Sequence, residues 1–176
     1  SGTVVVANAP GAGLLEARAA GPFLSGLAKR ITGEDPLLPG IATWWCGQPE
    51  AADHVRANLD SLLIAPAFGV RPLGLPSTEP VLGADLSDAA RAALLDDMER
   101  RPQDYVGQEV LRLSTMPVAT ADGLAARPFT LRVFAARGAD GAWTVLPGGF
   151  ARIGGNADPR AAVMGAGTSS ADVCVH

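Results

Sequence analysis

The sequence predicts an α+β fold, because strands and helices alternate in its first half whereas strands alone fill its second half. Up to residue 103, apolar strand patterns are interleaved with helical patterns, and from Asp104 onward strand patterns are separated by hairpin-turn sequences. No segment repeats at the periods typical of solenoids or propellers. We therefore expect one domain over residues 1–176 with two lobes and a cleft between them. A mixed sheet is expected in about 1–103 and an antiparallel sheet in about 104–176, with helices flanking the sheets.

Three strand patterns lie in the first half. TVVVAN (3–8) is apolar and β-branched, LPGIATWWCG (38–47) follows a Pro-Gly break, and LLIAPAF (62–68) runs into a turn. Successive side chains of a strand point to opposite faces, so the rings of Trp44 and Trp45 should lie on opposite sides of their sheet. Core positions for both rings, or one ring over a cleft, are the two interpretations.

Three helices are predicted between and after these strands. The helical segments are 21–31, with apolar residues on one face, 48–61, which begins near Pro49, and 87–102, where Ser87 caps the first turn and Pro102 ends the helix. The segment 69–83 is rich in proline and has no periodicity. We expect it to be a loop that is mobile or ordered by a ligand.

The second half should contain four strands. Three strand patterns cover 104–114, 128–137 and 143–153, with hairpin turns at 121–123 and 138–142. A segment rich in Gly, Ala and Ser follows, and ADVCV (171–175) is the predicted last strand. Consecutive hairpins predict antiparallel pairing throughout this half.

Composition excludes several classes of protein. Hydrophobic residues make up 48% of the chain and charged residues 18%, which is typical of a packed globular protein. The net charge of -4 and the lack of a basic stripe argue against nucleic acid or an anionic membrane as partner, and no apolar run approaches the ~20 residues that span a bilayer. Cys46 and Cys174 are far apart, which favours reduced thiols in a cytoplasmic protein, with a disulfide between them as the alternative. The expected partner is a small molecule or another protein.

Local motifs leave their alternatives open. The only histidines are His54 and His176, so a histidine-based triad or metal site is not expected. APGAGLLE (9–16) has the strand, glycine turn and helix order of an anion-binding loop, or it is a tight turn that needs small residues. Gln108 and Glu109 would either read an adenine edge from a strand between lobes or form the solvated face of an edge strand.

Several stretches in this order resemble a known family. They include VVVANAPGAGLLE, ATWWCG, YVGQE, VLPGGFARI and SSADVCV, and together they resemble the circularly permuted ATP-grasp family, whose members are similar to glutathionylspermidine synthase-type carboxylate-amine ligases. The resemblance implies that ATP and Mg²⁺ bind between two lobes, where a carboxylate is phosphorylated and then attacked by an amine. It also implies that this chain is a fragment, with the remainder of the parent polypeptide as a partner.

The resemblance assigns roles to individual residues. Gln108 and Glu109 match the hinge that contacts adenine, and Gly148 and Gly149 match a turn near the nucleotide. Arg132 matches a basic catalytic residue that faces the phosphates. The resemblance further implies that Asn8 accompanies the carboxylate ligands of Mg²⁺.

Two positions depart from the family pattern. Ala65 and Ala171 stand where the family has lysines that would neutralise the phosphates of ATP. The chain has a single lysine, Lys29, and Arg71 is the nearest candidate to compensate. We therefore expect the nucleotide-binding module of an ATP-dependent carboxylate-amine ligase, weakened at its phosphate contacts. The alternative is a non-catalytic pseudo-ligase domain that serves protein assembly or regulation.

Overall fold

The computed structural model describes residues 10–158, 160 and 169–174, and the chain divides into two compact units. The units are Ser1–Glu109 and Val110–His176. Helices occur with two separate sheets, which confirms the predicted α+β class. The strand predicted at 3–8 lies outside the described residues.

From Pro10 onward, where the structure describes it, the first unit contains three α-helices and four strands. The helices are α1 (Gly21–Thr32), α2 (Pro49–Ala57) and α3 (Asp88–Arg100). The strands are β1 (Thr43–Trp45), β2 (Leu62–Pro66), β3 (Val81–Leu82) and β4 (Tyr105–Glu109).

The sheet of the first unit has the order β1-β4-β2-β3. All of its described pairings are antiparallel, whereas the sequence predicted a mixed sheet here. β4 lies between β1 and β2 and ends at Glu109, although the sequence pattern predicted a strand up to Ser114. The apolar pattern continues beyond Glu109, but the ladder with β1 ends at Gln108 and the ladder with β2 ends at Glu109. β4 therefore belongs to the first unit.

Alternate residues of β2 and β4 separate two apolar clusters, one on each face of the sheet. Ile64 and Tyr105 belong to the larger cluster with residues of α2 and α3, and Trp44 packs against it. Ala65 and Val106 belong to the smaller cluster, against which Trp45 packs. The two tryptophans thus lie on opposite faces, as the strand pattern predicted.

The helices follow their sequence signals. α2 begins at Pro49 and buries Ala52 and Val55, and the hydroxyl of Ser87 accepts a hydrogen bond from the Ala90 N–H at the start of α3. α1 has the predicted bounds within one residue, but its apolar side chains are exposed in this structure.

The proline-rich segment 69–83 is fixed to the core, although the sequence predicted a loop that is mobile or ordered by a ligand. Leu75 is 1% exposed and belongs to the larger cluster. Arg71 Nη1 donates to the Leu75 carbonyl at 2.9 Å, and Leu82 in β3 pairs with Leu63 in β2. Leu75 and Leu82 are both buried, and periodicity does not reveal such isolated contacts in a segment without a regular pattern.

The described residues of the second unit form a four-stranded antiparallel sheet with the order β5-β6-β7-β8. Its strands are β5 (Thr115–Thr120), β6 (Gly123–Arg137), β7 (Trp143–Ile153) and β8 (Ser169–Cys174). β7 has the predicted bounds, and both predicted hairpin turns are present. Gly123 (φ 110°) and Gly141 (φ 82°) supply the left-handed backbone that these turns need.

Candidate functional site

The polar pair at the end of β4 is held by the segment beside it. The backbone N–H of Ala42 donates to Glu109 Oε1 at 2.8 Å, and the Glu109 N–H donates to the Ala42 carbonyl at 3.0 Å. Gln108 Nε2 donates to Thr43 Oγ1 at 3.0 Å. Both side chains are half-buried. The pair is therefore rigidly positioned, and neither side chain is a free solvated group.

β4 leaves both of its ladders at this pair. Gln108 is the last residue that pairs with β1, and Glu109 is the last that pairs with β2. The next backbone groups, those of Val110 and Leu111, lie beyond both ladders and belong to the first residues of the second unit. A planar ligand with hydrogen-bonding edges can be read by such backbone groups.

Ala65 shares a face of the first sheet with Gln108. The row Trp45, Val106 and Ala65 crosses the sheet, and Gln108 lies two residues along β4 on the same face, about 7 Å away. Glu109 alternates to the other face. Thus the structure brings Ala65 and Gln108 to one surface of the sheet.

The methyl group of Ala65 is fully buried in the small apolar cluster. Ala65 is 0% exposed, and Ala19 and Trp45 pack in the same cluster. The Ala19 N–H donates to the Ala67 carbonyl at 3.0 Å, which fixes the covering segment to the chain just after β2. A ligand phosphate would reach position 65 only after this segment had moved.

Arg132 in β6 lies on an open surface of the second sheet. Arg132, Phe150 and Asp172 pair directly across β6, β7 and β8 and therefore share one face. The Arg132 guanidinium carbon lies 5.5 Å from the Phe150 ring centroid, within the range of a cation–π contact. An exposed, stacked guanidinium can bind a phosphate or carboxylate through its remaining N–H groups.

The other assigned residues of this unit lie in β7 and β8. Gly149 pairs with Val133, and a Cβ at this glycine would overlap the carbonyl oxygen of Arg132, so close strand approach requires glycine. Gly148 pairs with Cys174. Ala171 pairs with Ala151, one residue out of step with the Arg132 row, and so it faces the opposite side of the sheet. A single small ligand on one face would contact Arg132 or Ala171, but not both.

The assigned residues are thus distributed over both units. Ala65, Gln108 and Glu109 belong to the first, whereas Arg132, Gly148, Gly149 and Ala171 belong to the second. Asn8, assigned to Mg²⁺, lies outside the described residues. Among the residues that the structure describes, no group of three or more His, Cys, Asp or Glu side chains could hold a metal ion. The described residues alone therefore do not fit a Mg²⁺ site.

A buried polar network, which sequence reasoning missed, joins α3, β4 and the proline-rich segment. The Tyr105 hydroxyl donates to Asp97 Oδ2, and the Gly74 N–H donates to both side chains at 3.0 Å each. Asp97 is 2% exposed, and Arg100 lies 3.8 Å from its carboxylate. The signal was present in the helical pattern, because Asp97 lies between Leu94 and Met98 on the apolar face of α3.

The network shifts the pKa values of both titratable groups. The hydrogen bond from Tyr105 is the main cause that lowers the pKa of Asp97, with further lowering from the Gly74 N–H and from Arg100 and Arg101. Burial raises the pKa of Tyr105 well above its ordinary value, and the Asp97 carboxylate raises it further. At pH values between the lowered pKa of Asp97 and the raised pKa of Tyr105, an ionised Asp97 carboxylate is hydrogen-bonded to a neutral Tyr105 phenol.

The two thiols are unpaired and lie in different environments. Cys46 is buried and Cys174 is exposed. Burial raises the pKa of the Cys46 thiol to about 11, although the positive charge of Arg56 acts in the opposite direction. Cys46 is therefore protonated at neutral pH. In the described part of the chain, no helix has the length and apolar character needed to cross a bilayer.

Known proteins match most of this chain. A family model described as circularly permuted ATP-grasp type 2 matches residues 1–154. A protein of Frankia alni named "Putative glutamate--cysteine ligase 2-3" is 32% identical over 153 residues, which cover 87% of this chain and 17% of that protein. An uncharacterized protein of Mycobacterium tuberculosis is 35% identical over 133 residues, covering 76% of this chain and 14% of its own length. An uncharacterized Synechocystis protein is 28% identical over 152 residues, covering 86% and 30%.

These matches agree with the resemblance read from the sequence motifs. The matched region includes β4, which carries the polar pair, and its two partner strands β1 and β2. It also includes Arg132 and Gly149. The chain spans less than a third of the length of these curated relatives. This chain belongs to the circularly permuted ATP-grasp family, type 2.

Proposed function

We propose that this chain is the nucleotide-binding module of an ATP-dependent carboxylate-amine ligase. The observation that carries the proposal is the polar pair Gln108 and Glu109, which is fixed where β4 leaves both ladders and where the chain passes between units. Family membership supports the same conclusion, and one relative is named as a ligase of glutamate and cysteine. The remainder of a larger parent polypeptide would complete the enzyme.

In this proposal, the end of β4 reads adenine, and the role of meeting the phosphates falls to Arg132 by family resemblance alone. The backbone groups of Val110 and Leu111 supply a donor and an acceptor for the adenine edge, next to the amide of Gln108. Arg132 is exposed and retains N–H groups for anions. ATP supplies the phosphoryl group that activates the carboxylate. Reduced thiols and the use of ATP fit a cytoplasmic protein.

We further propose that the phosphate contacts are weak in this chain. Ala65 is enclosed by an apolar cluster, and Ala171 faces away from Arg132. Without lysines at these positions, Arg132 is the one cation among the assigned site residues that can offset the cost of taking phosphates from water. Adenosine and ATP should therefore bind with affinities that agree within about threefold, which corresponds to less than 1 kcal/mol.

Calorimetric titration with adenosine and with ATP plus Mg²⁺ tests the proposal. Gln108→Leu should weaken both ligands by about tenfold, because it removes a polar group beside the base. Arg132→Met should weaken ATP alone, whereas Arg30→Met, an exposed charge in α1, should change neither. An affinity for ATP far above that for adenosine would contradict the weakened phosphate site.

A matched lysine pair tests the geometry of the missing contacts. Ala65→Lys should destabilise the first unit by about 2 kcal/mol or more, because an ammonium would enter an apolar cluster. Ala171→Lys, at a half-buried position of β8, should have a much smaller effect. Urea unfolding measures both. An Ala65→Lys variant of unchanged stability and increased ATP affinity would show that position 65 is open to the phosphates.

The second candidate is a non-catalytic pseudo-ligase domain for assembly or regulation. Enclosure of Ala65 and the lack of a carboxylate cluster within the described residues favour it. If neither adenosine nor ATP binds at millimolar concentration to a folded chain, this candidate replaces the first.

A further inference from the structure

A pocket of about 430 Å³ lies within the first unit, at the opposite end of β4 from the polar pair. Its volume falls in the range typical of small-molecule sites. The residues that line it are Phe68, Val70, Arg71, Pro72, Leu73, Arg101 and Asp104. β4 runs from Tyr105 to Glu109, so the pocket and the polar pair are separated by about 13 Å of strand.

Arg71 is held in this pocket by the fixed part of the proline-rich segment. Its Nη1 donates to the carbonyl of Leu75, whose side chain is buried in the core. Gly74, one residue earlier, is bound by Asp97 and Tyr105. Among the described residues, the Nε and Nη2 groups of Arg71 have no partner. The guanidinium is therefore oriented at little further entropic cost and retains donors for a ligand.

Arg101 is oriented in a similar way by the end of α3. Its backbone N–H donates to the Asp97 carbonyl at 2.8 Å, and its Nε lies 2.7 Å from Asp104 Oδ2. Within the described chain its two terminal nitrogens have no partner. Two guanidinium groups and one carboxylate give the pocket a charge of about +1 at neutral pH, in a chain whose net charge is -4.

The remaining walls of the pocket are apolar and accessible. Phe68 is 40% exposed, and Val70 and Leu73 are each 77% exposed. Isolated apolar residues at a surface need no explanation, but here three of them border two oriented guanidinium groups. The combination matches a ligand with one anionic group and an apolar body.

We propose that this pocket binds a small amphipathic monocarboxylate, such as an N-acylated amino acid or the carboxyl end of a short peptide. The carboxylate would take paired N–H groups from Arg71 and Arg101, which guanidinium geometry favours. A single negative charge neutralises the pocket, whereas a phosphate dianion would leave it negative. The inference does not depend on the proposed nucleotide site, because every residue involved lies within one unit.

Calorimetric titration of the whole chain with N-acetyl-L-leucine tests the proposal, and N-acetyl-L-leucinamide is the uncharged match. We expect the acid to bind at least tenfold more tightly than the amide. Arg71→Met should abolish this preference, whereas Arg30→Met, which removes the same charge from the exposed side of α1, should preserve it. Circular dichroism would show whether Arg71→Met folds. If it does not, Arg101→Gln removes the other positive charge of the pocket and should likewise abolish the preference for the acid.

Three results would overturn the assignment. The first is equal binding of acid and amide, and the second is no detectable binding of the acid at concentrations up to about 20 mM. The third is displacement of the acid by ATP or inorganic phosphate but not by adenosine, which would identify the pocket as a phosphate site. Loss of nucleotide binding in Gln108→Leu with unchanged binding of the acid would leave this proposal standing.

Discussion

Removal of the Tyr105 hydroxyl should destabilise the first unit strongly. Tyr105→Phe removes the donor to a buried, ionised Asp97 and one of two acceptors of the Gly74 N–H. A hydrogen bond to a charged group contributes about 1.5–3 kcal/mol, and the carboxylate left behind has fewer partners in a buried position. We expect a loss of about 2–3 kcal/mol, which is a shift of about 1–1.5 M in the urea midpoint for a slope of about 2 kcal/mol/M.

The pH dependence of this loss follows from the two pKa shifts. The pKa of Asp97 is lowered by folding, so its contribution is present above the unfolded value of about 4 and is lost as pH falls through the folded value. The pKa of Tyr105 is raised by folding, so its contribution is present below about 10 and is lost as pH rises further. The difference between wild type and Tyr105→Phe should therefore be greatest between about pH 4 and pH 10 and should shrink outside that window.

Tryptophan fluorescence during urea unfolding measures the effect in the correct unit. Trp44 and Trp45 lie in the first unit, and a Trp143→Phe background removes the signal of the second. Ser61→Ala is the control, because it deletes a hydroxyl that donates to the Asn58 carbonyl at an exposed site and should cost less than about 0.5 kcal/mol. A Tyr105→Phe loss no larger than the control, or one that is unchanged at pH 3, would refute the reasoning.

Two further predictions concern glycine and cysteine. Gly83→Ala should destabilise the first unit by about 3 kcal/mol in the same urea assay, because the added Cβ would overlap the Leu59 carbonyl oxygen. The control is Gly26→Ala in α1, where an added Cβ would meet nothing within 4 Å. This variant should be neutral or stabilising by up to about 1 kcal/mol. A thiol reagent at pH 8 should label only Cys174 in the folded chain and should label Cys46 as well in urea, since Cys46 is buried with a pKa of about 11. Equal destabilisation by the two alanine variants, or rapid labelling of both thiols without urea, would show that the packing differs from the structure described.

Sequence patterns predicted the elements whose signals are local. α2 and α3 have a proline or serine at their first turn and helical apolar spacing, and β7 lies between a Gly-rich turn and a Gly-rich segment. The missed strand β5 contains Pro117, which lowers its strand signal. Where β4 ends depends on its partner strands, which no local pattern encodes.

The candidate site was predictable in part from the same sequence. Motifs placed Gln108 and Glu109 in a strand, and the structure shows them there, held by Ala42 and Thr43. The burial of Ala65 and the placement of Ala171 on the face opposite Arg132 both depend on strand register. The identity of one residue in the sequence does not reveal register. The network around Asp97 depends on contacts between residues that are far apart in sequence.

The central position of β4 has a mechanical consequence. A tension applied to the chain beyond Val110 would pass directly into β4, which is paired with β1 on one side and β2 on the other. Pulled along its own axis, such a strand loads the hydrogen bonds of both ladders together, so that they must break in concert and not one after another. The junction to the second unit is thus attached to a strand that two ladders hold against tension at once.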